Sequence, residues 1–471
     1  MERFELSVKE ILECTKGSLE QGTLCTFSGV STDTRMIGPG QLYVAIKGKN
    51  FDGHEFVADA KAKGALGALV SKDVEIPEDD FVVIKVPDTR HGLLSIAGFW
   101  RRKNPQTQVI AVTGTNGKTT TKEMIRWLLS AVGPTVASVK SYNNDIGVPL
   151  SLLEIRPYHR YCVIEIGASA PGEILPLAAV ALPSVSVITN IGIAHLEGFK
   201  TRSNIIQTKG EIIKAIDRRS EKRFAVLNAD DPAFPELKEF CKDIPYFTFG
   251  ITSKDADVRP DSPETVVEQT SAVHFSLSET PLSIPMGGTH NLYNALAALA
   301  VMKGLDLDLI RSAKRLSTFT PPPMRSNMFY VGPVVVINDA FNCNPSSLGA
   351  AINYFDTIKS PNKLFVLGDM LELGSESPMH HIAAGERLAA STVNHLFLTG
   401  NEVSATESTF SAKSGKPVYH YAPEAHTEMV AQIGKIVEGG GVVFFKGSRA
   451  NRLEDTVSLL LRRLKSMYGH D

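Results

Sequence analysis

Short apolar runs alternate with stretches of helical spacing through most of the 471-residue chain. From residue 109 onward, VIAVT (109–113), YCVIEI (161–166), SVSVITN (184–190) and FAVLN (224–228) read as buried strands, while Met124, Trp127, Leu128 and Ala131 share a helical spacing. Strands alternating with helices imply βαβ units and a mainly parallel sheet, because a parallel return needs a crossover long enough to hold a helix. Residues 256–285 are β-like and turn-rich and suit an antiparallel extension, and the Ala-rich stretch 291–303 reads as a helix. TFTPPP (318–323) cannot continue a helix, since proline lacks the amide donor and favours extended backbone, so it marks a linker. Beyond it the alternation restarts with VVVIND (334–339), KLFVLGD (363–369), HLFLTG (395–400) and GVVFFKG (441–447). Ahead of residue 105, QLYVAI (41–46) and FVVIKV (81–86) are strand-like within a more mixed text. These breaks predict an α/β protein of three domains: a small mixed α/β domain over 1–105, a central phosphate-loop domain with a mainly parallel sheet over 106–317, and a doubly wound, Rossmann-like domain over 318–471.

Composition narrows the class. With 49 basic and 51 acidic residues the formal charge is -2, so the chain carries no polycationic field and no nucleic-acid partner is expected. Five cysteines (Cys14, Cys25, Cys162, Cys241, Cys343) form no CxxC pair and read as reduced thiols, with neither a disulfide framework nor a structural zinc site. Charges interrupt the apolar pattern of MERFELSVKEIL, and no apolar run reaches the ~18 residues of a membrane span. A cytoplasmic, monomeric protein without a membrane partner is the expectation.

The strongest chemical signal is TGTNGKTT (113–120), placed after a strand and before a helical segment. Gly114 and Gly117 let backbone amides approach phosphate oxygens, the helix N-terminus adds partial positive charge, and Lys118 reaches terminal phosphates. Thr119 is placed to ligate Mg²⁺. Val112 stands where the general pattern has its first glycine, so the loop is a shortened variant. Glu165, closing YCVIEI, is either a solvated strand end or the carboxylate that holds the metal. His195, beyond the next strand, is a second metal ligand or a structural loop histidine. Lys209 in KGEI reads, on spacing alone, as a solvated helical lysine. Asn291 and Asn294 of GTHNLYN (288–294) suit either an adenine edge or ordinary helix capping. Arg325 and Asp339, past the linker, suit a γ-phosphate contact and a strand-end carboxylate.

Taken together, TGTNGKTTTK, YNNDIGVP (142–149), NIGIAHLEGF (190–199), KGEI (209–212) and THNLYNALAA resemble the Mur ligase superfamily along nearly the whole chain. The C-terminal strings DAFNCNPSS (339–347) and LGDMLELG (367–374), with SGVSTDTR (28–35), GQLYVAIKG (40–48) and FDGHEF (51–56), are similar to its branch that joins D-alanyl-D-alanine to UDP-N-acetylmuramoyl-tripeptide in peptidoglycan synthesis. The resemblance implies an ATP-dependent ligase working through an acyl phosphate. It puts ATP phosphates on Gly114, Thr115, Asn116, Gly117, Lys118, Thr119 and Thr120, adenine on Asn291 and Asn294, the γ-phosphate on Arg325 and the ribose on Asp339. Two Mg²⁺ ions are implied, one on Thr119 and Glu165 and one on His195, with Lys209 carbamylated as an anionic metal ligand. Ser31, Asp33, Thr34, Arg35, Asp52, Gly53 and His54 are implied for the UDP-linked substrate, and Asn143, Asn144, Phe341, Asn342 and Asn344 for further substrate contacts. Phe341 replaces the usual tyrosine, Cys343 the usual alanine, and Tyr43 a frequent phenylalanine; none of these removes a charge or a metal ligand. A folate or amino-acid-polymer ligase would share the central strings without the N-terminal ones, and a nucleotide-driven switch would share only the phosphate loop.

Overall fold

The computed structural model describes residues 4–76 and 80–469. Three helix-covered sheets follow one another along the chain. The first orders Ser18–Gln21, Val82–Lys85, Gly67–Val70, Leu42–Val44 and Val30–Ser31, all parallel except the Ser18–Gln21 edge. Helix Thr89–Lys103, N-capped by Asp88, carries this unit onto the next. Its Trp100 indole donates to Ile155 O at 2.9 Å and its Arg101 to Ala181 O at 3.0 Å, and the two units share one apolar core.

The central sheet orders Tyr246–Phe249, Phe224–Asn228, Val185–Ile188, Gln108–Thr113, Tyr161–Glu165 and Thr135–Ala137, and every pair is parallel. Its inner strands are buried along nearly their whole length because helices cover both faces, which is why they read as continuous apolar runs. The chain steps to one side of Gln108–Thr113 and then to the other, so a crevice opens beyond the carboxyl ends of the three middle strands. Helix Thr289–Gly304 is buried along nearly its whole length, and its alanines let it lie close against helix Lys118–Leu129. The antiparallel extension is present as Val267–Glu268, Val273–Leu277 and Thr280–Ile284.

The third sheet orders Asn327–Val331, Val334–Asn338, Gly441–Lys446, Lys363–Gly368, His395–Thr399 and Val418–Tyr421. All its pairs are parallel except the first, a hairpin turned at Gly332 (φ +55°). That edge strand escapes the sequence pattern because NMFYV is half-exposed, with Phe329 and Tyr330 facing outward. All five cysteines are free, and burial raises the Cys162, Cys241 and Cys343 thiols to about 12. Among the described residues no helix is long and apolar enough to cross a membrane.

Candidate active site

The phosphate loop is built by the strand and helix that flank it. Gln108–Thr113 runs into Gly114, and Gly117 adopts φ +80° before helix Lys118–Leu129 begins. A Cβ at Gly114 would lie 1.9 Å from Thr189 Oγ1, and one at Gly117 would lie 2.1 Å from Asn294 Oδ1, so both positions need glycine for space as well as for backbone. The neighbouring strand end clamps the loop. Asn116 N donates to Asn190 Oδ1 at 3.0 Å, Thr189 Oγ1 donates to Asn116 O at 2.6 Å, and Gly192 N donates to Thr115 Oγ1 at 2.9 Å. Lys118 Nζ folds over its own loop and donates to Gly114 O and Thr115 O, each at 3.0 Å. Burial lowers its pKa while the nearby Glu165 carboxylate opposes that shift. An anion entering the loop would restore the charge balance that burial disturbs.

Glu165 ends its strand with both oxygens engaged: Thr119 Oγ1 donates to one at 2.7 Å and Asn143 Nδ2 to the other at 2.7 Å. These are hard oxygen donors of the kind Mg²⁺ prefers. Among the described residues no group of three or more His, Cys, Asp or Glu side chains converges as a ready-made metal site. A set this sparse fits Mg²⁺ in a nucleotide site, where phosphates and waters fill most of the coordination sphere. Arg325 reaches the same place from the third domain, donating from Nη2 to Thr119 Oγ1 at 2.8 Å, so a cation already sits on the threonine oxygen. The Arg325 guanidinium rests 4.1 Å above the Phe341 ring; burial lowers its pKa and the charges of Glu165 and Asp339 oppose.

The third domain closes the crevice. Asn344 caps helix Pro345–Thr357 and donates to Asn116 Oδ1 at 2.8 Å, and Ser346 Oγ accepts from Ile193 N at 3.1 Å. With Asp339, Phe341 and Asn342 these residues line a cleft of about 1080 Å³ together with the phosphate loop, Asn143, Asn144, Glu165, His195, Asn291 and Asn294. Asn291 and Asn294 lie one turn apart and bond each other at 3.2 Å.

His195 sits in the left-handed region (φ +51°) at the start of a short helical turn. Its Nδ1 lies 2.6 Å from Glu372 Oε2 of the third domain, off the axis of the ring N–H, and this contact holds the Glu372 carboxyl below the usual range. Lys209 is not the solvated helical lysine that spacing suggests. It is 3% exposed, its Nζ lies 5.7 Å from the centre of the Phe199 ring, and burial aided by the Lys118 charge pushes its pKa well below normal. His195 packs on the edge of the same ring, with centroids 6.5 Å apart, so Lys209 and His195 flank Phe199. Lys209 is not among the side chains lining the cleft.

The N-terminal residues assigned to the UDP-linked substrate stand apart from this cleft. Asp33 accepts from the Arg35 side chain through both carboxylate oxygens and donates its own amide to Ser31 Oγ at 3.2 Å, and Lys63 Nζ donates to Thr34 O at 2.9 Å. Asp52 pairs with His54 at 2.6 Å and Lys72 at 2.9 Å, which holds its carboxyl far below the usual range. A Cβ at Gly53 would lie 2.6 Å from Ile46 N. Helix Thr89–Lys103 bridges the gap: Arg90 lines the cleft and pairs with Asp145 at 2.5 Å. Sequence reasoning missed Arg90, His290, Ser346, Glu372 and Lys446. His290, Ser346 and Glu372 lie inside strings that carry the family resemblance, and Lys446 stands out as a cation closing the apolar strand GVVFF.

The pattern of the Mur ligase middle domain matches residues 112–302, that of the Mur ligase glutamate ligase domain 324–449, and that of the Mur ligase family catalytic domain 26–101. The UDP-N-acetylmuramoyl-tripeptide–D-alanyl-D-alanine ligase of Escherichia coli (strain K12) is 32% identical over 97% of this chain and 98% of its own. The enzyme of that name from Bacillus subtilis (strain 168) is also 32% identical, over 97% and 98%. Among solved structures, MurF from Acinetobacter baumannii superposes with a TM-score of 0.88 at 29% identity, covering 98% of this chain and 100% of that one. The MurF ligase from Thermotoga maritima in complex with ADP gives 0.79 at 28% identity, covering 93% and 98%. On this full-length kinship, the chain belongs to the Mur ligase family of ATP-dependent ligases, in the branch of the UDP-N-acetylmuramoyl-tripeptide–D-alanyl-D-alanine ligases.

Proposed function

We propose that this chain joins D-alanyl-D-alanine to UDP-N-acetylmuramoyl-tripeptide, giving the pentapeptide precursor of peptidoglycan with ADP and phosphate. The observation that carries the reading is the meeting of a phosphate loop, a strand-end carboxylate and a third-domain arginine at one oxygen, Thr119 Oγ1. The tripeptide's terminal carboxylate oxygen attacks the γ-phosphorus of ATP, and the bond to ADP breaks. The dipeptide amine, having lost a proton, attacks the acyl carbon, and the carbon–oxygen bond to phosphate breaks. Lys118 and Arg325 hold the phosphates and offset charge as it moves to the bridging oxygen.

Residues 114–120 bind the phosphates, Asn291 and Asn294 the adenine, and Asp339 the ribose. Mg²⁺, when bound, neutralises phosphate charge. Thr119 and Glu165 would hold one ion, and His195 with a carbamylated Lys209 a second. Burial and the Lys118 charge push the Lys209 pKa well below normal and so favour the neutral amine, the form that adds CO₂, which supports the modification. Asn143, Asn144, Phe341, Asn342 and Asn344 face the reacting ends, with Phe341 also a shelf for Arg325. Residues 1–105 take the UDP moiety through Ser31, Asp33, Thr34, Arg35, Asp52, Gly53 and His54. Residues 106–317 carry ATP, and 318–471 close over it to keep the acyl phosphate from water. The proposed working unit is a monomer. A reaction consuming ATP and a UDP-linked peptide belongs in the cytoplasm. Heavy oxygen placed in the tripeptide carboxylate should appear in the released phosphate; label that stays wholly in the peptide product rules out the acyl phosphate.

A further inference from the structure

We propose that Lys446 is the positioning residue of the ribose-binding carboxylate, an inference that rests on the assignment of Asp339 to the ribose. Lys446 ends the parallel strand Gly441–Lys446, whose register pairs Asn338 with Phe445. The pairing continues one step further, with Asp339 N donating to Phe445 O at 3.0 Å, and so places the lysine beside the aspartate where both chains leave the sheet.

The ammonium lies 2.5 Å from Asp339 Oδ2, 3.3 Å from Asn342 O and 3.4 Å from Asp339 O. An ammonium has three donors, and here three acceptors surround it. None is left for a phosphate, although Lys446 is one of the cations lining the cleft. Its side chain is 4% exposed, against 17% for Asp339, so it lies beneath the carboxylate and not in the ligand's path. Asp339 Oδ1 is fixed separately by Ser326 N at 3.1 Å. Ser326 Oγ adds a longer bond to Oδ1 at 3.5 Å, while Oδ2 has Lys446 as its one donor and keeps a lone-pair site for a hydroxyl. Two fixed points set the plane of the carboxylate, and Lys446 also ties the turn through Asn342. Without its cation, Asp339 would be free to turn about its contacts with Ser326 and would face ATP with its charge less compensated.

The test compares ATP with 2′,3′-dideoxy-ATP in the full-length enzyme with both peptide substrates, for wild type, Asp339→Asn, Lys446→Met and Lys446→Arg. Wild type should favour ATP. Asp339→Asn and Lys446→Met should each lose about tenfold or more of that preference, the scale of one charged hydrogen bond, through KM for ATP and not through kcat. Lys446→Arg, which keeps the charge, should retain it. Lys446→Gln serves if the methionine variant fails to fold. If Asp339→Asn keeps the preference, the ribose assignment itself is wrong. If Asp339→Asn loses it while Lys446→Met or Lys446→Gln keeps it, the positioning role is overturned.

Discussion

The phosphate loop and the helix proposed to read adenine meet where Asn294 fills the space beside Gly117, and Gly117→Ala tests that coupling. At φ +80° an L side chain costs about 1–2 kcal/mol of backbone strain. The new Cβ would also stand 2.1 Å from Asn294 Oδ1, which must move. Asn294 accepts from Thr121 Oγ1 at 3.3 Å and donates to Asn291 Oδ1 at 3.2 Å, and losing both bonds adds about 1 kcal/mol each. The expected cost is therefore about 3–4 kcal/mol. Gly172→Ala is the internal control, because φ there is +84° but a Cβ meets nothing within 4 Å, so only the backbone cost of about 1–2 kcal/mol applies. Differential scanning calorimetry should give a fall in Tm of roughly 6–16 °C for Gly117→Ala and roughly half that or less for Gly172→Ala. Calorimetric titration should give weaker ATP binding for Gly117→Ala alone. Equal falls in Tm with unchanged ATP affinity would refute the claim that Asn294 occupies the space glycine leaves.

Lys118→Ala should lower turnover by about 10²-fold or more, the scale of one preorganised charge contact, and steady-state kinetics at saturating substrates would measure it. Lys209→Ala should be inactive and partly restored by short carboxylic acids standing in for the carbamate; full unaided activity would remove that role. Burial lowers His290 to about 4, so from an unfolded value near ~6.5 downward the unfolded chain takes a proton that the folded site refuses. Stability should therefore fall as pH drops through that window and level off below about 4, and urea titrations should find a flatter profile for His290→Gln.

Much of this was legible in the sequence, and the limits have physical causes. Buried parallel strands are apolar throughout, so VIAVT, YCVIEI and FAVLN announce themselves, and a glycine loop between strand and helix admits few readings. Asn327–Val331 was hidden because an edge strand with one face in water carries no such run. Lys209 reads as solvated by spacing, since nothing local reveals that it is buried beside the Phe199 ring. Glu372 and Lys446 depend on contacts across domains or between distant strands, which no local period encodes. The N-terminal strings were legible as a motif, yet Asp52 and His54 chiefly bond each other and Lys72, so their contribution to the turn's shape was not.

The most direct test of the central claim is phosphate release from ATP and Mg²⁺ in the presence of UDP-N-acetylmuramoyl-tripeptide, with and without D-alanyl-D-alanine, followed by mass spectrometry of the product. The account predicts release that requires both peptide substrates and yields the pentapeptide; release indifferent to the dipeptide, or a product lacking it, would contradict it.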